Sequence, residues 1–271
     1  MAESSRAPLE LSPATRAAPL RGLRAAFTSF SRLPIGGFPY STEEWRWAAA
    51  HLPCVGVATG AFSACFWLGG SAAGLGSQLC ALLALGSSVL FTGAIHEDGL
   101  ADAADGLGGA HGAQRALEIM KDSRIGSFGA LALVLSLLFR LAALAELPRA
   151  GWFWLIEIHC LARVGPVWLM HSEPYVSDSE RSKSAQLFPI ARGQLAVAIG
   201  WGLACSSLGV ATGWLRVGVV ALVGLVLAGI GWGAARFFRA RVGGVTGDLL
   251  GALEQVGEIA AWLTVLSCHA A

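Results

Sequence analysis

Three aspartates near the middle of the chain have the spacing of one helical face. Asp98, Asp102 and Asp105 stand at positions i, i+4 and i+7. On a helix of about 3.6 residues per turn they point the same way, within roughly 60° of arc. Like charges on one face repel each other. A hard divalent cation would relieve that repulsion, because Mg²⁺ and Mn²⁺ prefer carboxylate oxygens. The spacing therefore favours a divalent-metal site over a solvated acidic loop.

A histidine precedes these acids, and a basic segment follows them. His96 suits a general base or a metal ligand, because imidazole titrates near neutral pH; a hydrogen-bonded interface histidine is the alternative. Lys121 and Arg124 suit the clamping of phosphate oxygens. For these two, a loop ion pair with Asp122 or Glu118 is the alternative.

A glycine-rich segment near the carboxyl end forms a second candidate block. Residues 243–248 read Gly-Gly-Val-Thr-Gly-Asp, and a glycine turn before a helix exposes backbone N–H groups that suit phosphate. Glu254 and Glu258 follow inside an apolar segment, where carboxylates are costly and indicate function. We expect their partners to be a metal ion or the intramembrane arginines Arg140 and Arg163.

The composition is that of an integral membrane protein. Mean hydropathy is +0.60, and hydrophobic residues make up 55% of the 271 positions. The net charge of +1 provides no basic field for nucleic acid. The six cysteines stand singly in apolar stretches, so neither a zinc site nor a disulfide framework is indicated.

The elements that must position these residues are predicted to be membrane-spanning helices, which need about 20 apolar residues each. We expect an all-α bundle of about seven, with six to eight allowed by the polar residues of the fourth and seventh. Residues 1–20 are expected to be disordered, and residues 21–271 to form a single transmembrane catalytic domain that opens with an interfacial helix. The predicted spans are 47–69, 73–95, 127–147, 151–171, 194–213, 215–237 and 247–268.

The distribution of basic residues predicts the orientation of the bundle. With the amino terminus in the cytoplasm, residues 1–46 and the loops 96–126, 172–193 and 236–246 all lie on that side. Together they carry 15 of the 19 Lys and Arg. The other side has Arg149 and Arg216. This bias follows the positive-inside rule. It predicts a multi-pass protein of the inner membrane whose active site faces the cytoplasm.

Together these features suggest a class of reaction. Carboxylate-held Mg²⁺ beside glycines and arginines suits phosphoryl or phosphodiester transfer, where the metal neutralises charge on a pyrophosphate and orients the attack.

Five sequence blocks resemble the cobalamin synthase family, the integral membrane adenosylcobinamide-GDP ribazoletransferases. The similarity covers most of the chain, and the two central blocks together are specific to that family. The blocks are Ser31-Arg32-Leu33-Pro34, Leu52-Pro53-x-x-Gly56, His96-x-Asp98-Gly99-Leu100-Ala101-Asp102-x-x-Asp105-Gly106, Asp122-Ser123-Arg124-x-Gly126 and Gly243-Gly244-x-Thr246-Gly247-Asp248.

The resemblance implies a late step of cobalamin biosynthesis. The 5′-hydroxyl of α-ribazole, or the ribazole that carries a 5′-phosphate, attacks the phosphorus attached to cobinamide in adenosylcobinamide-GDP and releases GMP. By position, the implied Mg²⁺ ligands are Asp98, Asp102, Asp105 and Asp122. The implied catalytic residues are His96, Asp98, Asp102 and Arg124. The implied substrate contacts are Lys121, Ser123, Arg124, Gly244, Thr246, Gly247, Asp248 and Glu254. The proton acceptor is His96 or a carboxylate, and homo-oligomerisation is left open.

Two other functions remain alternatives at the level of sequence. CDP-alcohol phosphotransferases also set aspartates on membrane helices around divalent metal, although in a different order. A cation transporter would use the intramembrane acids Glu157, Glu254 and Glu258 as an ion path. The densest acid cluster is predicted at a helix end rather than at the bilayer midplane, which favours chemistry on a substrate that arrives from the cytoplasm.

Overall fold

The computed structural model describes residues 13–176 and 185–269, and these form a bundle of helices. Residues 1–12 and part of the loop 172–193 lie outside the described residues. Helix α1 begins at Pro13, so the later part of the segment expected to be disordered is helical. Pro at the start of a helix and a run of alanines both favour this.

The helices in chain order are α1 (Pro13–Phe30), α2 (Thr42–Ala50), α3 (Leu52–Ala72), α4 (Ser77–Thr92), α5 (Ile95–Gly109), α6 (Ala113–Met120), α7 (Ser127–Ala145), α8 (Phe153–Leu161), α9 (Val164–Ser172), α10 (Arg192–Ala211), α11 (Val217–Val242) and α12 (Gly247–His269). Short 3₁₀ turns cover Arg149–Trp152 and Ala185–Leu187.

The prediction of an all-α membrane bundle is confirmed. Within the part of the chain that the structure describes, six helical segments are long and apolar enough to cross a bilayer, and α4 with α5 makes a seventh if that bent pair counts as one span. The fourth span, predicted at 151–171, is Arg149–Ser172 in the structure. It consists of the 3₁₀ turn at Arg149, α8 and α9.

The predicted boundaries are displaced most at the first and sixth spans, and the second, predicted at 73–95, corresponds to Ser77–Thr92. The first begins at Leu52 rather than 47, because α2 is a separate helix that ends at Ala50 and Pro53 occupies the first turn of α3. The sixth continues from 237 to Val242, because the apolar pattern runs on between its arginines until Gly243 ends the helix with φ of 87°.

The acidic helix α5 leaves the direction of the span before it. Gly93 and Ala94 both adopt left-handed backbone conformations, with φ of 71° and 60°, and α5 turns by 86° relative to α4. A left-handed residue ends a helix, and the second one redirects the chain. The bend brings the acidic helix across the bundle, towards α7 and α12.

Small residues let the helices that matter most approach closely. Gly56 and Gly60 of α3 lie against the backbone of α8 at His159 and Leu155, as the Gly-x-x-x-Gly spacing predicts. Gly99 of α5 faces Gly251 of α12. Besides these interfaces, α8 contacts α12 directly, where His159 and Glu258 form a hydrogen bond.

Candidate active site

The contact between α5 and α12 joins the two blocks that the sequence singled out. A Cβ atom added to Gly99 would lie 3.1 Å from Cα of Asp248, and one added to Gly251 would lie 3.4 Å from Cα of His96. The glycines therefore permit an approach that larger residues would prevent. His96 and Asp98 are brought directly beside Asp248.

A cavity of about 220 Å³ opens at this contact. Its polar walls come from helices far apart in the sequence, and apolar residues such as Phe30, Leu52 and Met170 complete it. The polar side chains that line it are His96, Asp98, Arg163, Asp248 and Glu254. The Nε2 atom of His96 is buried and has no hydrogen-bond partner among the described residues. The cavity thus offers acids, a base and a guanidinium to one ligand.

Three aspartates form an acidic group, and two of them, Asp98 and Asp248, line this cavity. The third, Asp102, is acted on electrostatically by Asp248 and Asp98, and less strongly by Asp105. No ion pair joins these three to a basic side chain in the described part of the chain. Their oxygens do not all lie within 4.8 Å of one another. Hard oxygen donors of this kind fit Mg²⁺.

Asp105 of α5, which was predicted to be a metal ligand, directs its carboxylate to the amino-terminal end of α7. Its Oδ2 accepts a hydrogen bond from the N–H of Gly126 at 2.7 Å, and its Oδ1 accepts one from the N–H of Gly129 at 2.8 Å. A carboxylate here satisfies free N–H groups and the positive end of the helix dipole. Both oxygens of Asp105 are thereby engaged with backbone groups.

Asp122 forms an ion pair with Arg124. This is the pair that the sequence offered as the alternative to phosphate binding by Arg124. Arg124 Nη2 lies 2.6 Å from Asp122 Oδ2, and Arg124 Nε lies 3.0 Å from Asp122 Oδ1. The hydrogen bonds from Arg124 lower the pKa of Asp122 to about 2. The charged groups acting on Asp122 are Arg124 and Arg115, whereas its fellow predicted ligand Asp102 responds to other aspartates. Arg124 remains exposed and accessible, as do Ser123 and Lys121.

A buried charge network lies beneath the cavity. Arg140 Nη2 donates to Glu97 Oε1 at 2.9 Å, and Arg140 Nη1 donates to Glu258 Oε2 at 3.3 Å. All three side chains are at most 9% exposed. This arrangement ties α7 to α5 and α12 through one guanidinium. It confirms that Glu258 is partnered by an intramembrane arginine.

Arg163 connects the same network to the cavity. Its Nη1 lies 2.8 Å from Glu254 Oε1, 3.4 Å from Glu258 Oε1 and 2.7 Å from the carbonyl oxygen of His159. His159 Nδ1 makes a short hydrogen bond with Glu258 Oε1. Gln255 donates to Glu254 Oε2 at 2.9 Å. Arg163 lines the cavity from below, with Glu254 held beside it.

His159, Glu254 and Glu258 also bring ligand atoms within 4.8 Å of one another. A metal at that point would compete with Arg163, whose Nη1 lies between the two glutamates. The guanidinium already supplies the positive charge that these buried carboxylates need. We therefore interpret this trio as part of the ion-pair network.

The glycine-rich turn is hydrogen-bonded to the segment that follows α9, at residues 174–176. The N–H of Val245 donates to the carbonyl of Pro174, and the N–H of Val176 donates to the carbonyl of Val245, both at 2.9 Å. Gly244 lies so close to Pro174 that a side chain would collide with its carbonyl. Thr246 Oγ1 accepts from the N–H of Leu249 at 3.2 Å and so caps α12. The turn thereby fixes Asp248 at the cavity.

Comparison with known proteins is decisive about the family. Residues 22–266 match the family model described as cobalamin-5-phosphate synthase. A protein of Shewanella pealeana named adenosylcobinamide-GDP ribazoletransferase is 41% identical, covering 88% of this chain and 91% of the relative. Proteins of the same name from Leptothrix cholodnii and Vibrio parahaemolyticus are 39% and 36% identical, with coverage of 88% and 90% of this chain and 92% and 91% of the relatives.

The chain belongs to the cobalamin-5-phosphate synthase family. It is therefore a transferase of cobalamin biosynthesis, and family membership removes the lipid head-group transferase and the cation transporter as alternatives. No solved structure matches the chain.

For a cobalamin-5-phosphate synthase, the structure brings together part of the expected set of residues and adds others to it. Of the expected residues, His96, Asp98, Asp248 and Glu254 line the cavity, and Asp102 lies near Asp98 and Asp248. Arg163 was considered only as a partner for the glutamates, and Glu97 only as a proton acceptor. A basic residue inside a span is the signal that points to such a network. The particular partners depend on tertiary packing.

Proposed function

We propose that this protein transfers the adenosylcobinamide phosphate moiety of adenosylcobinamide-GDP to a free ribose hydroxyl of α-ribazole or α-ribazole 5′-phosphate. The 5′-oxygen of the phosphorylated acceptor is already esterified, so the hydroxyl that both acceptors share is not the 5′-hydroxyl expected from the sequence. The new bond joins the hydroxyl oxygen to the phosphorus attached to cobinamide. The bond from that phosphorus to the GMP portion breaks, GMP leaves, and the hydroxyl proton passes to a base. The products are GMP and adenosylcobalamin or its 5′-phosphate.

The convergence of acids, histidine and arginine at one cavity carries this proposal. Asp98, Asp102 and Asp248 would hold Mg²⁺, because their oxygens form an acidic group without a basic partner among the described residues. Bound there, the metal would neutralise diphosphate charge and polarise the phosphorus. In this scheme the expected ligands Asp105 and Asp122 do not bind the metal. Asp105 holds the start of α7, and Asp122 orients Arg124.

The remaining groups have roles that follow from their positions. His96 would accept the hydroxyl proton, because its buried Nε2 has no other partner in the described structure. Arg163 would face phosphate oxygens from the cavity wall, and Arg124 would engage the outer phosphate from the exposed turn. The turn containing Gly244, Thr246 and Gly247 would supply backbone N–H groups, alongside Lys121, Ser123 and Glu254.

In this proposal the reaction takes place at the cytoplasmic face of the inner membrane. The support is the concentration of Lys and Arg in the loops on the same side of the bundle as the cavity. Nucleotide substrates are charged and soluble, so a site at a helix end is reached without crossing the hydrocarbon core.

The test is product formation by the purified full-length protein in detergent. Adenosylcobinamide-GDP is supplied with α-ribazole in one series and with α-ribazole 5′-phosphate in another, each with Mg²⁺ or with EDTA. The cobalamin product and GMP are resolved by chromatography. Equal amounts of both products with Mg²⁺, and little with EDTA, are expected. Product that is insensitive to EDTA would overturn the metal assignment. Monodisperse protein that makes no product with either acceptor would overturn the reaction.

A further inference from the structure

Two consecutive spanning helices leave a long gap between them. Although α10 and α11 are joined by a short loop, α10 packs on α8 and α9, and α11 packs on α9 and α12. A cavity of about 530 Å³ lies between them, with α9 as its floor. The gap faces the hydrocarbon region because both helices are apolar spans.

The walls of this groove are apolar and smooth. Glycines and alanines of α11, among them Gly224, Ala228 and Gly231, line one side. Ser206 is polar, but it donates its hydroxyl to the carboxylate of Glu157 and is thereby satisfied. The lining offers no polar recognition along its length, so its ligand must be a hydrocarbon.

The dimensions of the groove fit a single hydrocarbon chain. The lining residues of α10 run from Leu195 to Ser206, which is about 17 Å at a rise of about 1.5 Å per residue. One leaflet of a bilayer core is about 15 Å thick. An extended acyl chain matches that length, and its chemistry matches the apolar lining of the groove.

One end of the groove is positively charged. The guanidinium of Arg236 lies 5.0 Å from the centre of the Trp232 ring, and Trp232 lines the groove. Arg192 begins α10, one turn before the lining residue Leu195. Both arginines are exposed, and neither makes an ion pair with an acid among the described residues. A phosphate at this end would meet two available guanidinium groups.

We propose that the groove between α10 and α11 binds one acyl chain of an anionic phospholipid, with its phosphate at Arg236 and Arg192. This site is separate from the cavity at Asp98 and does not depend on the proposed reaction. It lies at the same end of α11 as the turn that leads into α12, so the bound lipid would stabilise the helix that precedes the candidate active site.

Gly224 and Gly229 provide a matched pair of variants for a test. A Cβ atom at either position would meet nothing within 4 Å, so larger side chains are accommodated without a collision. Only Gly224 lines the groove. Gly224→Phe therefore fills the groove, and Gly229→Phe places the same side chain elsewhere on α11. Replacing Gly favours the helix in both variants.

The measurement is lipid retention by native mass spectrometry of the full-length protein, loaded with dioleoylphosphatidylglycerol or dioleoylphosphatidylcholine in detergent. We expect one retained phosphatidylglycerol per chain, about tenfold less retention in Gly224→Phe, and unchanged retention in Gly229→Phe. Arg236→Gln should lower the preference for phosphatidylglycerol over phosphatidylcholine about fivefold. If Gly224→Phe is not monodisperse, Ala228→Phe replaces it.

Two outcomes would overturn this proposal. One is equal retention by the Gly224 and Gly229 variants. The other is a wild-type dimer that Gly224→Phe converts to monomer, which would assign the groove to a second copy of the chain.

Discussion

Arg140 on α7 donates a hydrogen bond to Glu97 on α5, and Glu97 immediately precedes Asp98 in the chain. The ion pair is 2.9 Å long, and both side chains are buried. Through it, the interior of the bundle fixes the rotation of the helix that carries the acids. Since Arg140 also contacts Glu258 at 3.3 Å, the same guanidinium holds α5 and α12 in register.

Removing Arg140 should destabilise the bundle more than any single exposed substitution. Arg140→Met leaves Glu97 and Glu258 buried without their shared cation, and losing one partner of a buried ion pair costs about 3–5 kcal/mol. The check is thermal unfolding of the detergent-solubilised protein. The double variant Glu97→Gln with Arg140→Met should recover part of the loss, because one buried charge is removed as well. Equal Tm values for Arg140→Met and wild type would contradict the network.

The acidic group should control the response to Mg²⁺. We expect Asp98→Asn and Asp248→Asn to lower kcat/KM by about 100-fold, since metal stabilisation of transferring phosphate is worth several kcal/mol. Asp102→Asn should behave similarly and require more Mg²⁺ for half-maximal activity. Thermal unfolding should change little, because removing one of three neighbouring like charges relieves repulsion. Mg²⁺ titrations that overlay the wild-type curve would remove these residues from the metal site.

Asp105 should respond in the opposite way. Asp105→Asn replaces an acceptor by an NH₂ group facing the N–H of Gly126 or Gly129, and an unpaired buried donor costs about 1–3 kcal/mol. We expect a lower Tm, with the Mg²⁺ concentration for half-maximal activity unchanged. A variant of normal Tm with a shifted Mg²⁺ requirement would restore Asp105 as a metal ligand.

Part of this arrangement follows from the sequence alone, and part does not. The 3.6-residue period predicted that Asp98 and Asp102 share a face, and the cost of burying charge predicted arginine partners for Glu258. Asp105 lies on the same face by spacing, but its partners are N–H groups more than twenty residues away. No local pattern indicates which carboxylate will meet the start of a distant helix.

The bend between α4 and α5 illustrates the same limit. Hydropathy ends the second span near Ile95, as predicted, but the left-handed conformation of Ala94 is set by packing rather than by residue type. Alanine normally favours a right-handed helix. The contact between Asp248 and the acids of α5 depends on that bend. The sequence therefore indicated Asp248 as a substrate contact of the glycine-rich turn, without joining it to those acids.

The exposed pair Asp122 and Arg124 should affect substrate affinity rather than stability. Surface ion pairs contribute little to folding, so Arg124→Ala should leave Tm unchanged and raise the KM for adenosylcobinamide-GDP about tenfold through a lost phosphate contact. Arg115→Ala is the matched control, since Arg115 is exposed and paired with Glu118.

Because the pKa of Asp122 is lowered to about 2, the ion pair between Asp122 and Arg124 is complete above that pH and is lost only as pH falls through it. The Arg124→Ala effect should therefore stay constant between pH 6 and pH 9 (about the working range of enzymes). An equal KM increase in Arg115→Ala would contradict a specific role for Arg124.

Close helix contact at Gly99 should be required for activity. Gly99→Val places branched carbons against the backbone of Asp248, where even one Cβ atom would lie at 3.1 Å. Because backbone cannot rotate away as a side chain does, α5 and α12 must separate, and overpacking of this kind costs about 1–3 kcal/mol. We expect kcat to fall at least about tenfold, since misplacing catalytic groups by about 1 Å costs up to about 100-fold. Gly69→Val, on α3, is the control because a Cβ there meets nothing within 4 Å. It should retain wild-type kcat and Tm. If Gly99→Val also retained them, the acids of α5 and α12 would not need the contact that brings them together.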